Sequence, residues 1–312
     1  MQRRDFVKAA CAGTLAASSS FAEAQPMPKR KYKGEIKLSI IGFGGILVVD
    51  EEQSNANRIV ADSIERGINY FDVAPSYGKD GEAEKKLGIA LAPFRKDVFL
   101  ACKTEARDVA GIEGQLKTSL ERLKTDHFDL YQFHAVHGVD EVDKILSSGC
   151  ADLFYKLKKD GRARHIGLSA HDTAAALKLM DHMELDSVLF PVNYVNYSQS
   201  HWGPKILQKA KEKGMARLAL KAFAKTTWKQ SETHTYAKCW YRPIEDRQLA
   251  ERALRFTLSE DVTAAIPPGD SRIFRLALEF GPRFRPLSTD ERKELLASAT
   301  GIEPIFPRPA NG

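Results

Sequence analysis

The feature that most constrains this chain is an eightfold alternation of short apolar runs with helical patterns. The runs lie at Leu38–Phe43, Tyr70–Val73, Val98–Cys102, Leu130–Phe133, His165–Leu168, Val188–Val192, Arg217–Ala222 and Val262–Ile266. Helical patterns separate them at Asn57–Arg66, Ala83–Leu91, Gly114–Leu123, Val142–Lys159, Thr173–Met183, Pro204–Lys213 and Asp246–Leu258. Gly67, Gly161 and Gly214 stand where helices close with a left-handed residue. Ser288–Ala299 reads as a final helix, with Ser288 or Thr289 as its cap and Glu291 nearby. Strand and helix in strict alternation argue for a parallel sheet covered by helices. Eight such units close a barrel without remainder, within the ~250 residues that such barrels use. An open doubly wound sheet shows fewer units and a Gly-rich first turn, and Gly42-Phe43-Gly44-Gly45 does not match G-x-G-x-x-G. The expected fold is therefore α/β, a single-domain (β/α)8 TIM barrel over residues 35–303.

The ends of the chain read differently. Residues 1–24 have a charged start with Arg3-Arg4-Asp5-Phe6, a short Ser-rich apolar stretch, and Ala22-Glu23-Ala24 as a cleavage site. The stretch is too short to span a bilayer. The arginine pair resembles a twin-arginine export signal, which implies the export machinery as a partner and a periplasmic or otherwise exported protein. Residues 25–34 are rich in Pro, Lys and Arg and read as a linker; residues 304–312 read as an extended tail. The net charge of +6 falls to about +5 without the leader, and no aromatic-interleaved basic stripe is present. Anionic ligands are favoured mildly and nucleic acid is not. The four cysteines, Cys11, Cys102, Cys150 and Cys239, fit no zinc or iron–sulfur spacing, so neither a metal nor a disulfide framework is expected.

Chemistry in a barrel of this kind sits at the C-terminal ends of the strands. Three consecutive strands end an apolar run with one ionisable residue each: Asp72, Lys103 and His134. Tyr77 follows the first by a short loop. Such a set suits carbonyl reduction, which needs hydride at carbon and a proton at oxygen. Tyrosine, with an ordinary pKa of ~10, is a slow acid near neutrality. A nearby ammonium stabilises its phenolate and lowers that value. The ammonium is costly to bury unless paired, which gives Asp72 a role. A neutral imidazole can orient the carbonyl by donating a hydrogen bond.

Phe71-Asp72-Val73-Ala74-Pro75-Ser76-Tyr77-Gly78 resembles the F-D-x-A-x-x-Y-G signature of the aldo-keto reductases. Gly167-Leu168-Ser169 resembles their G-x-S-N segment, and the likeness runs from about Leu38 to Glu279. The resemblance implies NADP- or NAD-linked reduction of an aldehyde or ketone, or oxidation of an alcohol. It assigns Tyr77 as proton donor, Lys103 and Asp72 as its tuning pair, and His134 as substrate orienter. The cofactor set it implies comprises Gly44, Gly45, Asp72, Ser169, His171, Asn193, Phe223, Pro268, Gly269, Asp270, Arg272, Arg275 and Glu279. Several of these depart from the family pattern. Ala170 and His171 follow Ser169 in place of Asn, Pro191 or Asn193 stands for a strand-six Gln, and Gly269-Asp270 replaces Lys-Ser. Asp270 would repel a 2′-phosphate and Arg272 or Arg275 would offset it, so the choice between NADP and NAD stays open. Lys238-Cys239-Trp240-Tyr241, and His201 with Trp202, either line the pocket or pack beneath loops. Two other functions stand beside the reductase: a barrel that keeps nucleotide binding as a sensor or interaction subunit, and a lyase or isomerase using His134 and Lys103.

Overall fold

The computed structural model describes residues 26–306. The expected leader and residues 307–312 of the expected tail lie outside that range. The strands are β1 (Lys29–Lys33), β2 (Ile36–Ser39), β3 (Phe43–Gly44), β4 (Tyr70–Asp72), β5 (Phe99–Thr104), β6 (Phe128–Val136), β7 (Ala163–Ala170), β8 (Ser187–Pro191), β9 (Ala216–Leu220), β10 (Ala224–Thr227), β11 (Tyr241–Pro243) and β12 (Ala264–Ile266). The helices are α1 (Gln53–Glu65), α2 (Glu82–Ala90), α3 (Val109–Arg122), α4 (Val139–Ser147), α5 (Cys150–Lys159), α6 (Thr173–His182), α7 (Tyr194–Ser200), α8 (Pro204–Glu212), α9 (Arg247–Ser259), α10 (Ser271–Phe280) and α11 (Thr289–Ala297).

Eight strands form one parallel sheet in the order β12-β9-β8-β7-β6-β5-β4-β3. Its edges meet: Gly42 N donates to Ala265 O at 2.9 Å and Ala265 N to Ile40 O at 2.8 Å. The sheet is therefore a (β/α)8 barrel, as the alternation predicts. Leu130, Leu189, Leu218, Tyr70 and Ile266 fill its interior, while a second apolar layer lies between strands and helices. Gly67, Gly161 and Gly214 all have positive φ, at 90°, 78° and 64°, where a Cβ would be strained. The Ser288–Glu291 capping box opens α11.

Three expectations need correction. Residues 29–33 are not linker but strand, pairing antiparallel with β2. One apolar side chain suffices there. Tyr32 is buried against Phe99 at 4.8 Å, while Arg30 donates to the Leu258 carbonyl at 2.9 Å and Lys33 pairs with Asp186. The run Leu38–Phe43 is not one strand: its start belongs to this hairpin beneath the barrel, and β3 begins at Phe43. Val142–Lys159 is two helices, because Gly149 at φ 79° turns the chain between α4 and α5.

Candidate active site

β4, β5 and β6 are neighbours, with Asp72 beside Ala101 and Lys103 beside Gln132, so their ends converge on one mouth. A tight turn, Tyr77 N to Ala74 O at 3.1 Å, returns Tyr77 to the same place. Lys103, with its side chain 1% exposed, pairs with Asp72 and donates to Tyr77 Oη at 3.2 Å and to the Val73 carbonyl at 3.2 Å. The second oxygen of Asp72 accepts from Tyr70 Oη and from Gln132 Nε2, each at 3.3 Å. The His134 ring meets the Tyr77 ring edge-on at 5.8 Å, and its Nδ1 lies 3.0 Å from Glu105 Oε1. Arg107 donates to the His134 carbonyl and holds Glu141 at 2.6 Å, fixing that strand end. All four residues singled out at the strand ends are thus brought together.

Burial pushes the Tyr77 phenol up, and the Lys103 ammonium offsets this in part. Burial pulls Lys103 down, but Asp72 and Tyr77 outweigh it and hold the ammonium above its ordinary range. Burial lowers His134, opposed by Glu105. Near neutrality the site therefore presents a protonated phenol, a fixed ammonium and an imidazole poised to be neutral.

The mouth opens into a cavity of about 230 Å³. Of the expected cofactor residues, Gly44, Asp72, Ser169, His171, Pro268 and Gly269 line it. The two loops that close it touch: a Cβ on Gly269 would fall 2.2 Å from Ile46 Cγ2. Polar Ser169 and His171 and the buried ring of Tyr241 share this wall, a chemistry that fits a nicotinamide ring. Arg275 and Glu279 line a separate groove of about 810 Å³ between α1 and α10, with Asn55, Arg58 and Ser271. These two expected cofactor residues are therefore placed away from the mouth, and Glu279 pairs with Arg247 and Arg283.

Other expected residues do different work. Asn193 caps α7, accepting from Asn196 N at 2.9 Å, and Phe223 is core. Gly45 packs on Val73, where a Cβ would sit 2.8 Å from Cγ2. Asp270 caps α10 and pairs with Arg272 at 2.8 Å, so Arg272 is not a free counter-charge. Arg272 instead lies over Tyr236, 4.0 Å from its centroid. Trp240 and Tyr241, carried by the β10–β11 hairpin, line the cavity. Trp202 stacks on Phe306 at 5.0 Å, and Phe306 lies 5.4 Å from His171, so the start of the expected tail also packs at the mouth.

Sequence reasoning missed Tyr70, Glu105, Gln132 and Lys221. Tyr70 and Gln132 had a signal: each stands two positions from Asp72 or His134 on the same strand, where residues two apart share a face; Glu105 stands two beyond Lys103, just past the end of β5. Lys221 had none, since its φ of 68° takes it off the strand pattern.

The Aldo/keto reductase family model matches residues 41–265. The uncharacterized oxidoreductase YqkF of Bacillus subtilis is 26% identical over 303 residues, 88% of this chain and 97% of its own length. The L-galactose dehydrogenase of Arabidopsis thaliana is 29% identical over 175 residues, 52% of this chain and 54% of its own. Among solved structures, the holo form of an aldo-keto reductase from Bacillus halodurans shares the fold with a TM-score of 0.70 at 22% identity, over 91% of this chain and 100% of its own. The glycerol dehydrogenase of Gluconobacter oxydans does so with a TM-score of 0.66 at 20% identity, over 89% and 98%. The chain belongs to the aldo/keto reductase family of oxidoreductases, enzymes that work with NADP or NAD.

Proposed function

We propose that the protein reduces an aldehyde or ketone, or oxidises the corresponding alcohol, with Tyr77 exchanging the proton at the substrate oxygen. The observation that carries this reading is the Lys103 ammonium, paired with Asp72 and 3.2 Å from the Tyr77 hydroxyl. The nicotinamide, when bound, supplies or accepts the hydride. Tyr77 delivers its proton as charge develops on the carbonyl oxygen, and the adjacent Lys103 ammonium stabilises the phenolate left behind. Asp72, held by Tyr70 and Gln132, keeps that ammonium in place. His134 faces the same space and, as the imidazolium, can donate from Nε2 to the carbonyl oxygen. Names borne by relatives, an L-galactose dehydrogenase and a glycerol dehydrogenase, support hydride exchange between a carbonyl and an alcohol.

The test is Tyr77→Phe. Loss of the proton donor should cut reduction by about 10²–10⁴-fold, while nicotinamide fluorescence shows nearly unchanged cofactor binding. Undiminished turnover would end the mechanism. The sensor reading draws on Asn193, whose amide caps a helix, and on Asp270, which occupies Arg272. Cofactor that binds but is never oxidised across a carbonyl panel would favour it. Export through the twin-arginine machinery to the periplasm is also a proposal; Arg3-Arg4 and Ala22-Glu23-Ala24 support it.

A further inference from the structure

The mouth holds a positive charge that the proton-transfer chemistry leaves unused. Lys221 follows β9 directly, and its backbone is left-handed at φ 68°, rare for a residue with a Cβ and concentrated at functional sites. The turn carries its side chain to the cavity wall shared with Tyr77, His134 and His171. Among the described residues no carboxylate pairs with it. Its ammonium lies 4.9 Å from the Tyr241 ring centroid and 5.3 Å from that of Trp240. The other charged groups of the wall are matched, Asp72 by Lys103 and Lys238 by Glu51 at 3.3 Å. An ammonium partly withdrawn from water, as at half-buried Lys221, is costly without a counter-ion, and aromatic faces are weaker partners than a carboxylate. Burial accordingly pulls Lys221 down to about 8. His171 cannot supply a second charge, since burial and Lys221 hold it down to about 3.

We propose that Lys221 is the counter-ion for an anionic group that enters the mouth with the ligand, either a carboxylate on the carbonyl substrate or the pyrophosphate of the dinucleotide. The identity of the ligand rests on the reductase reading; the anion site itself does not. The two aromatic rings fix the ammonium on the wall and leave its remaining donors to the incoming oxygens.

The test uses the full chain with two plain anions, inorganic pyrophosphate and succinate, titrated without turnover. Binding is read by Trp240 fluorescence against a Trp240→Phe control and by the shift in melting temperature. Wild type and Lys221→Arg should bind at least one anion saturably. Lys221→Met, which keeps the aliphatic stem, and Lys221→Gln should bind it about tenfold more weakly or worse, the scale of one lost charge-assisted hydrogen bond. Two further arms separate the sources. If the pyrophosphate is the partner, NADPH and NADH both bind Lys221→Met about tenfold less tightly. If the substrate carboxylate is the partner, kcat/KM for succinic semialdehyde falls about tenfold relative to butanal, its neutral counterpart. No saturable anion binding by wild type, or equal binding by wild type and both neutral variants, overturns the proposal. Because the first arm needs no reaction, failure of the reductase reading would leave its result interpretable.

Discussion

Glu105 sets which nitrogen of His134 carries a proton. The hydrogen bond with His134 holds the Glu105 carboxyl down to about 2, so the group is ionised and accepts only. Nδ1, 3.0 Å away, must then be the donor. In a neutral imidazole this leaves Nε2 with a lone pair, unable to donate to a carbonyl oxygen. Donation from Nε2 requires the imidazolium. Burial keeps His134 below its ordinary value of 6.5, with Glu105 opposing. The active form is thus the protonated one, fully present below the His134 pKa and lost as pH rises through it. With wild type, kcat/KM for reduction should fall about tenfold per pH unit above that point. Tyr77, raised by burial, stays protonated throughout the window. In Glu105→Gln the amide can donate as well as accept, so the neutral Nε2–H tautomer becomes available and the fall should flatten. Profiles of kcat/KM from pH 5 to 9 check this; parallel limbs in the two proteins would refute it.

Among the elements, the β1–β2 hairpin beneath the barrel carries more of the fold than its composition suggests. Tyr32 is 4% exposed, lies 5.2 Å from His165 and 4.8 Å from Phe99, and seals the interior from below. Asp186 at the start of the β8 region is gripped by Lys33 of the hairpin and by Lys158 at 2.6 Å. Tyr32→Ala should cost about 3 kcal/mol, as for other large-to-small core changes, read as a lower urea midpoint with little change in slope. A loss below about 0.5 kcal/mol would mean the plug is dispensable. The difference between legible and illegible elements is physical. β4 to β9 announce themselves because both faces are largely buried, which demands mostly apolar runs. The β1 strand buries one side chain among basic neighbours, so composition points to linker. The convergence of Asp72, Tyr77, Lys103 and His134 was readable because strand ends, and the short turn after β4, place them by rule. Asn193 and Phe223 were misplaced because a strand end can equally hand its next polar residue to a helix cap and its next aromatic to the core. Trp240 and Tyr241 reach the mouth on the returning strand of the β10–β11 hairpin, far along the chain from β10 (Ala224–Thr227), and no local pattern encodes that return.

For the molecule as a whole, ring closure governs when the site exists. The wall beside Asp72, Tyr77 and His134 is made by both extremes of the barrel: Gly44 ends β3, while Pro268 and Gly269 follow β12. These meet only after Ile41 has paired with Ala265, more than two hundred residues later in the chain. Long-range pairing of this kind is slow to form, and no partial barrel offers the nucleotide both walls. If the protein is exported, the cofactor is best acquired by a complete barrel before transit, the order of events that a twin-arginine signal serves. Export and cofactor loading are therefore measured together. With Arg3→Lys and Arg4→Lys together, a tagged protein should move from the periplasmic to the cytoplasmic fraction, with melting temperature and reductase activity unaltered, because these residues precede the barrel. Wild-type protein recovered from the periplasm should release nucleotide on denaturation, detected by its absorbance and mass. Periplasmic accumulation of the double variant would remove the twin-arginine route. Wild-type protein that reaches the periplasm empty, yet binds nucleotide on mixing, would break the link between ring closure and loading before export.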